Sequence, residues 1–402
     1  MNRIGINLIH VDPNYAGGVT AYARGLSEGF SKHARGSKLV FFLSSKNSDF
    51  FSFLNANPDL EIRILEHESS INRKNFFALK SKLLKYFPSF FMNFVSYVCM
   101  RKQVRILEHV DLMYTPYGPP PIFPYISKPQ VFSIHDIQHQ YFPEFFSQDQ
   151  LVERNYTFAR VAKLAAGVQA SSSQMKENFI SSFRTLNAEN VRIIPEGVDI
   201  SYFGTLAEPP STLAIQSVLH ENYYYMPAQL WPHKNHKTVI EAFRLIRDEK
   251  VKAKLVLTGA PYGAHDQILR QIEEAGLEET VIYLGVVERN DVRALYQSSQ
   301  GVISAALYES NSLPILEAAA SSVQIFAGDT PPNVELAKSI SINLFENENP
   351  SALSKLIVSK EKGGLNSAVA SNYTELIEFE WGSIANAYLG WFDEIILLKA
   401  KQ

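Results

Sequence analysis

Cysteine is nearly missing from this chain: Cys99 stands alone. No disulfide framework can form within it, which fits a reducing compartment. No run of about 18 apolar residues occurs, so no transmembrane helix is expected. The nearest stretch, 87–100, is too short and is broken by Ser and Asn. The opening residues Met1-Asn2-Arg3-Ile4-Gly5-Ile6-Asn7 lack the apolar core of a signal peptide and read as the entry to a strand. Excess basic charge is also lacking. The formal net charge is −3, whereas a duplex nucleic-acid binder carries a basic domain. Neither a fixed-period repeat nor a low-complexity segment stands out. Together these absences lead us to expect a cytoplasmic enzyme with no nucleic-acid partner.

What is present is globular. The chain has 402 residues, 46% hydrophobic and 20% charged. That is too long for one ordinary core and comfortable for two. Short apolar runs at 4–9, 39–43, 61–65, 111–115, 130–134, 167–170 and 192–195 alternate with helical stretches. The first such stretch puts Val19, Tyr22, Ala23 and Leu26 on one face. Ala207-Glu208-Pro209-Pro210-Ser211-Thr212 interrupts the pattern as a linker. The alternation then restarts, with strands expected at 223–229, 254–259, 281–285, 301–305 and 323–327. Helices are expected at 236–248, 267–275, 291–297 and 314–320. Apolar strands separated by helices predict α/β domains with parallel, doubly wound sheets. The domains are placed at 1–205 and 206–379, and 380–402 is read as a helix crossing back to the first. Ligands of such sheets sit beyond the strand carboxyl ends.

The segment most capable of chemistry is 305–318, Ala-Ala-Leu-Tyr-Glu-Ser-Asn-Ser-Leu-Pro-Ile-Leu-Glu-Ala. It leaves a strand, crosses a loop of small polar residues and enters a helix. Pro314 suits the first helical turn. Backbone N–H groups of the loop and the helix N-terminus favour an anion such as a diphosphate. Glu309 lies on the loop. Glu317, eight residues on, can accept hydrogen bonds from the two hydroxyls of a ribose. Chemistry alone leaves an equal alternative, in which Glu317 is a solvated helix carboxylate and Glu309 a loop charge.

Two glutamates separated by seven residues, with Leu313-Pro314 before the helix, resemble the donor-site motif of the retaining glycosyltransferases of family 4, which have the GT-B fold. Further pieces agree in order: Gly17-Gly18; Ser133-Ile134-His135-Asp136; Ser171-Ser172-Ser173-Gln174; Pro195-Glu196-Gly197-Val198-Asp199; Trp231-Pro232-His233-Lys234-Asn235; and Leu284-Gly285-Val286. The resemblance implies two Rossmann-like domains facing a cleft. It further implies transfer of a hexosyl unit from a nucleoside-diphosphate sugar to a glycan or lipid-linked glycan, in cell-surface polysaccharide synthesis. It assigns roles as well. Lys234 would neutralise the diphosphate, Glu317 hold the ribose and Glu309 bind hydroxyls of the sugar. His135 would contact the sugar near its anomeric centre, through its ring or its backbone carbonyl. Gly17, Gly18, Gln229, Gly285, Val286, Ser310, Asn311, Ser312 and Leu313 would complete the donor site. Tyr117, Asp136 and Arg154 would lie on the acceptor side.

No cofactor is implied, and no metal. Asp-x-Asp occurs nowhere, so the usual metal grip on a diphosphate is missing. His135 and His139 flank Asp136 at a spacing of four, but the first falls at a strand end, where helical spacing does not apply. The chain also departs from the family's pattern. Ala228-Gln229 replaces the usual Gly-Arg, exchanging a bidentate cation for neutral hydrogen bonds. Ser310-Asn311-Ser312 replaces Gly-Phe-Gly. These changes blur the donor base, with a lean toward a GDP-sugar.

Residues 73–105 mix six phenylalanines with lysine and arginine. They read either as helices covering the sheet or as a peripheral contact with an anionic membrane on its inner face. Two rival functions stay open: another GT-B enzyme such as a sugar-nucleotide epimerase, or a non-catalytic partner of an active transferase.

Overall fold

The inner strands are continuous apolar runs because they are covered on both faces, whereas the edge strands are more exposed. The structure, a computed structural model, describes residues 2–13, 18–33, 37–65, 104–118, 125–364 and 373–401. Seven strands form the first sheet: β1 (Arg3–Asn7), β2 (Lys38–Ser44), β3 (Glu61–Leu65), β4 (Leu112–Thr115), β5 (Gln130–Ser133), β6 (Gly167–Ala170) and β7 (Val191–Ile193), in the order β3-β2-β1-β4-β5-β6-β7. Six form the second: β8 (Tyr223–Pro227), β9 (Lys254–Thr258), β10 (Val281–Tyr283), β11 (Gly301–Ser304), β12 (Ile325–Gly328) and β13 (Asn343–Phe345), in the order β10-β9-β8-β11-β12-β13. All their pairings are parallel. The strand order reverses between β1 and β4 in the first sheet, and between β8 and β11 in the second. At such points the outgoing loops splay apart and leave room for a ligand.

Several expected strands end one or two residues early. Residues just past the ladder stay buried, so hydrophobicity continues where pairing stops: Leu8 is fully buried, and its N–H still reaches Phe42 O at 2.9 Å. Strand β13 and the helices Pro331–Leu336 and Pro350–Glu361 were not among the expected elements.

The helix Trp381–Ala400 packs into the core of the first sheet, where Ile384, Tyr388, Phe392 and Ile395 meet Ile4, Ile6, Leu26 and Phe30. It lies against the helix Gly18–His33 so closely that a Cβ on Gly25 would fall 2.2 Å from the Trp381 ring. A buried hydroxyl cluster ties these elements together. Tyr388 Oη lies 2.6 Å from Tyr22 Oη and 2.9 Å from Ser133 Oγ, and Tyr114 Oη lies 2.6 Å from the same serine. Each hydroxyl can both donate and accept, so the four can satisfy one another. Other polar contacts link the two sheets' layers. The Ser173 N–H and hydroxyl donate to Glu335 at 2.9 Å, and the Tyr308 ring stacks on Tyr141 at 5.4 Å.

Candidate functional site

A cavity of about 760 Å³ opens between the carboxyl ends of the two sheets, within the usual range for a small-molecule site. Each part of its wall follows a strand. Gly18 comes after β1, His135 and Asp136 after β5, and Glu196 after β7. Ala228, Gln229 and Trp231 to Lys234 come after β8, Val286, Val287 and Arg289 after β10, and Tyr308 to Asn311, Leu313, Pro314 and Glu317 after β11.

The loop after β8 is shaped by a short 3-10 turn, Pro232–Lys234, and by Asn235 in a left-handed conformation at φ 57°. This turn delivers the Lys234 ammonium to the Glu309 carboxylate, with which it forms an ion pair. The Glu309 side chain is 8% exposed, and its Oε2 has no partner. Burial and the neighbouring Lys234 cation push His233 down to about 3 and His236 to about 4. Both imidazoles are therefore neutral at pH 7, and the charge of this loop is the lysine's. The loops after β8 and β11 are pinned to each other by Leu307 N–H to His233 O at 2.8 Å. Trp231 donates to Gln229 Oε1 at 3.0 Å and stacks on Tyr262 at 4.5 Å. Gly259, at φ 140°, lets its strand end approach this loop; a Cβ there would sit 2.5 Å from Ala228 O.

The helix Leu313–Ala320 begins at the cavity with Ser312 as its N-cap and Pro314 in its first turn. Ser310 and Ser312 are buried, and Ser312 N–H bonds to the Asn311 side chain at 2.8 Å. The polar loop is thus folded on itself, with only part of it facing the cavity. Glu317, one turn into the helix, is half-buried. It accepts a hydrogen bond from Tyr296 Oη at 2.8 Å, which occupies one of its oxygens. Burial raises its carboxyl to about 7, opposed by the Tyr296 bond and by the Arg289 charge.

On the facing wall, His135 packs edge-on to Tyr22 at 4.6 Å. Its Nε2 lies 2.8 Å from Pro116 O and its Nδ1 3.4 Å from Glu196 Oε1. Burial lowers the His135 pKa, but the Glu196 carboxylate and the Pro116 carbonyl outweigh it, and the net shift is upward. Asp136 pairs with Arg154 at 2.5 Å, and Arg154 also donates to His139 Nδ1 at 3.3 Å. His139 can accept because burial and the Arg154 charge hold it down to about 4.

The structure therefore gathers Gly18, His135, Asp136, Arg154, Gln229, Lys234, Val286, Glu309, Ser310, Asn311, Leu313 and Glu317 at one cavity. Gly17 and most of 73–105 lie outside the described residues. Three expected residues are not on the cavity wall. Tyr117 turns onto the first core and accepts the His10 N–H at 3.1 Å. Gly285, at φ 71°, holds its loop against Gly259 N–H at 2.8 Å. Ser312 points inward, 3.4 Å from Ser304. Sequence reasoning missed Glu196 and Arg289 on the wall, and the buried Tyr296 that bonds Glu317 from behind. Glu196 was quoted within a motif, but its partner lies 61 positions away. No feature of 281–298 singles out Arg289 or Tyr296 from ordinary helix residues. Among the described residues, no group of three or more His, Cys, Asp or Glu could hold a metal ion, and no helix is long and apolar enough to cross a membrane.

Comparison with known proteins places the molecule. The model of Glycosyltransferase Family 4 matches residues 16–202, and that of Glycosyl transferases group 1 matches residues 214–375. The O-antigen chain mannosyltransferase RfbU of Salmonella typhimurium is 23% identical over 202 residues, 50% of this chain and 52% of that protein. The O-antigen chain mannosyltransferase B of Escherichia coli is 25% identical over 230 residues, 56% of this chain and 59% of its own. These matches span little more than half the length of either relative. In fold, the crystal structure of Anabaena Alr3699/HepE in complex with UDP and glucose superposes with a TM-score of 0.70 at 19% identity, covering 98% of this chain and 100% of that one. The crystal structure of TarM superposes at 0.68, with 14% identity, covering 98% and 99%.

Proposed function

The chain belongs to the family 4 glycosyltransferases of GT-B fold, and from that premise we propose that its cavity transfers a hexosyl unit from a nucleoside-diphosphate sugar to a glycan acceptor. The observation that carries this reading is the convergence of Lys234, Glu309 and Glu317 on one cavity at the carboxyl ends of both sheets. Lys234 supplies the point charge for the diphosphate. The backbone of Ser310 and Asn311 and the Leu313 end of the helix Leu313–Ala320 add dipoles. The free edge of Glu317 takes ribose hydroxyls. Glu309, whose charge the lysine balances, takes hydroxyls of the sugar. Gln229, Gly18 and the backbone about Val286 complete the donor site, while Asp136 and Arg154 face the acceptor.

The reaction is retaining. The bond from C1 to the diphosphate oxygen breaks, and the acceptor oxygen bonds C1 on the same face. The acceptor proton passes to the departing phosphate oxygen. Negative charge grows on the leaving group, so a fixed cation beside it stabilises the transition state more than the ground state. Two relatives are O-antigen mannosyltransferases, which supports a GDP-hexose and a role in cell-surface polysaccharide synthesis. HepE was crystallised with UDP, which keeps a UDP-sugar as the second reading. Proton NMR of the product's anomeric signal tests the stereochemistry: an axial donor must give an axial linkage, and an equatorial linkage would contradict the reading.

A further inference from the structure

Both ring nitrogens of His135 face acceptors. Pro116 O is a carbonyl and Glu196 Oε1 a carboxylate oxygen, at 2.8 and 3.4 Å. A neutral imidazole owns one N–H and would turn a lone pair toward one of them, whereas the imidazolium satisfies both. Glu196 is placed for this and is itself buried, with its side chain 8% exposed. The backbone beside it is clamped. Val198 N–H donates to Phe379 O at 2.7 Å, and a Cβ on Gly197 would lie 2.5 Å from the Trp381 ring. The start of the C-terminal helix therefore fixes where the carboxylate sits.

We propose that Glu196 is a positioning residue of the transferase site: it holds His135 as a doubly protonated ring whose hydrogen bonds are all spent within the protein. His135 then acts on the substrates through its fixed charge and its backbone carbonyl, and does not take up the acceptor's proton. The other groups facing the ring agree. Tyr22 contributes an uncharged ring from the helix Gly18–His33, its hydroxyl turned into the cluster with Ser133, Tyr114 and Tyr388. Asp136, on the loop after β5, is neutralised by Arg154. Glu196 is thus the carboxylate that bonds the ring, and Asp136 adds only a smaller pull. The upward shift of His135 has the same origin. The inference rests on reading the cavity as a donor site, but its test needs neither donor nor acceptor.

The test is ¹⁵N NMR of the full chain labelled in histidine, with the His135 signals identified by their loss in His135→Gln. In the wild type both His135 ring nitrogens should carry protons at pH 7 and titrate above the ordinary imidazole range. In Glu196→Gln the titration should move to lower pH, and Glu196→Asp should restore part of the difference. With transferase activity in hand, the alkaline limb of the rate profile should move the same way. The rate constant kcat should then fall roughly ten- to hundredfold with little change in donor KM. A wild-type His135 neutral at pH 7, or one titrating identically in Glu196→Gln, would overturn the proposal. The wild-type spectrum alone decides the point should the glutamine variant fail to fold. Absence of transfer with every donor would instead count against the proposed function and leave the titration standing.

Discussion

Glu317→Gln should make this protein more stable and worse at its task. Burial lifts the Glu317 carboxyl from the ordinary glutamate value to about 7. Between about pH 4.5 and 7 the folded state binds a proton that the unfolded state has released. Stability contributed by this group is therefore full below that window and lost as pH rises through it. A rise of this size corresponds to roughly 3 kcal/mol, a ceiling because the residue is only half-buried. Glutamine keeps the shape and can still accept the 2.8 Å bond from Tyr296, but it has no charge to bury. Wild type and variant should thus melt alike near pH 4.5 and diverge by about 5–10 °C at pH 8. Scanning calorimetry at a series of pH values reads this directly. At pH 8 donor affinity should fall about ten- to a hundredfold, because charge-assisted hydrogen bonds to the ribose are worth roughly 1.5–3 kcal/mol. Equal melting of the two proteins at pH 8, or an unchanged donor Kd, would refute the reasoning.

Other perturbations separate charge balance from binding. Lys234→Ala strands Glu309 as an unpaired, nearly buried carboxylate and should cost about 1–3 kcal/mol in denaturant titrations. Lys234→Met with Glu309→Gln should recover that stability without recovering donor binding by calorimetry. Transfer should survive EDTA if, as proposed, Lys234 balances the diphosphate without a metal; abolition by chelation with rescue by a divalent ion would refute this. Replacing Lys80, Lys82 and Lys85 by Glu should release the protein from anionic vesicles in a sedimentation assay, whereas wild type that never binds them would leave the core reading of 73–105.

The two sheets were legible because parallel strands buried on both faces are written as unbroken apolar runs, such as Leu39-Val40-Phe41-Phe42-Leu43 and Leu255-Val256-Leu257. Strand β13 was not, since its three residues are mostly half-buried and carry no such run. The lysine and the two glutamates could be found because each sits in a local pattern: a Pro-His-Lys-Asn turn, and a polar loop ending in Leu-Pro. Glu196 and Tyr296 could not. Their contacts reach across 61 and 21 positions, set by which loops the strand order brings together. The inward turn of Ser312 and the placement of Tyr117 on the first core were hidden for the same reason. A motif names the loop, whereas packing decides which side chain faces the cavity.

The most direct test of the central claim, that this cavity is a nucleotide-sugar site, is a thermal-shift panel of UDP, GDP, ADP, CMP and their common sugars. A ligand that binds only the native state raises its melting temperature, by about 2.7 kcal/mol of added stability at a hundredfold excess over Kd. One nucleoside diphosphate and its sugars should give a clear rise that is lost in Lys234→Ala, and the responding base names the donor. No rise with any of them, or a rise that persists without the lysine, would contradict the claim.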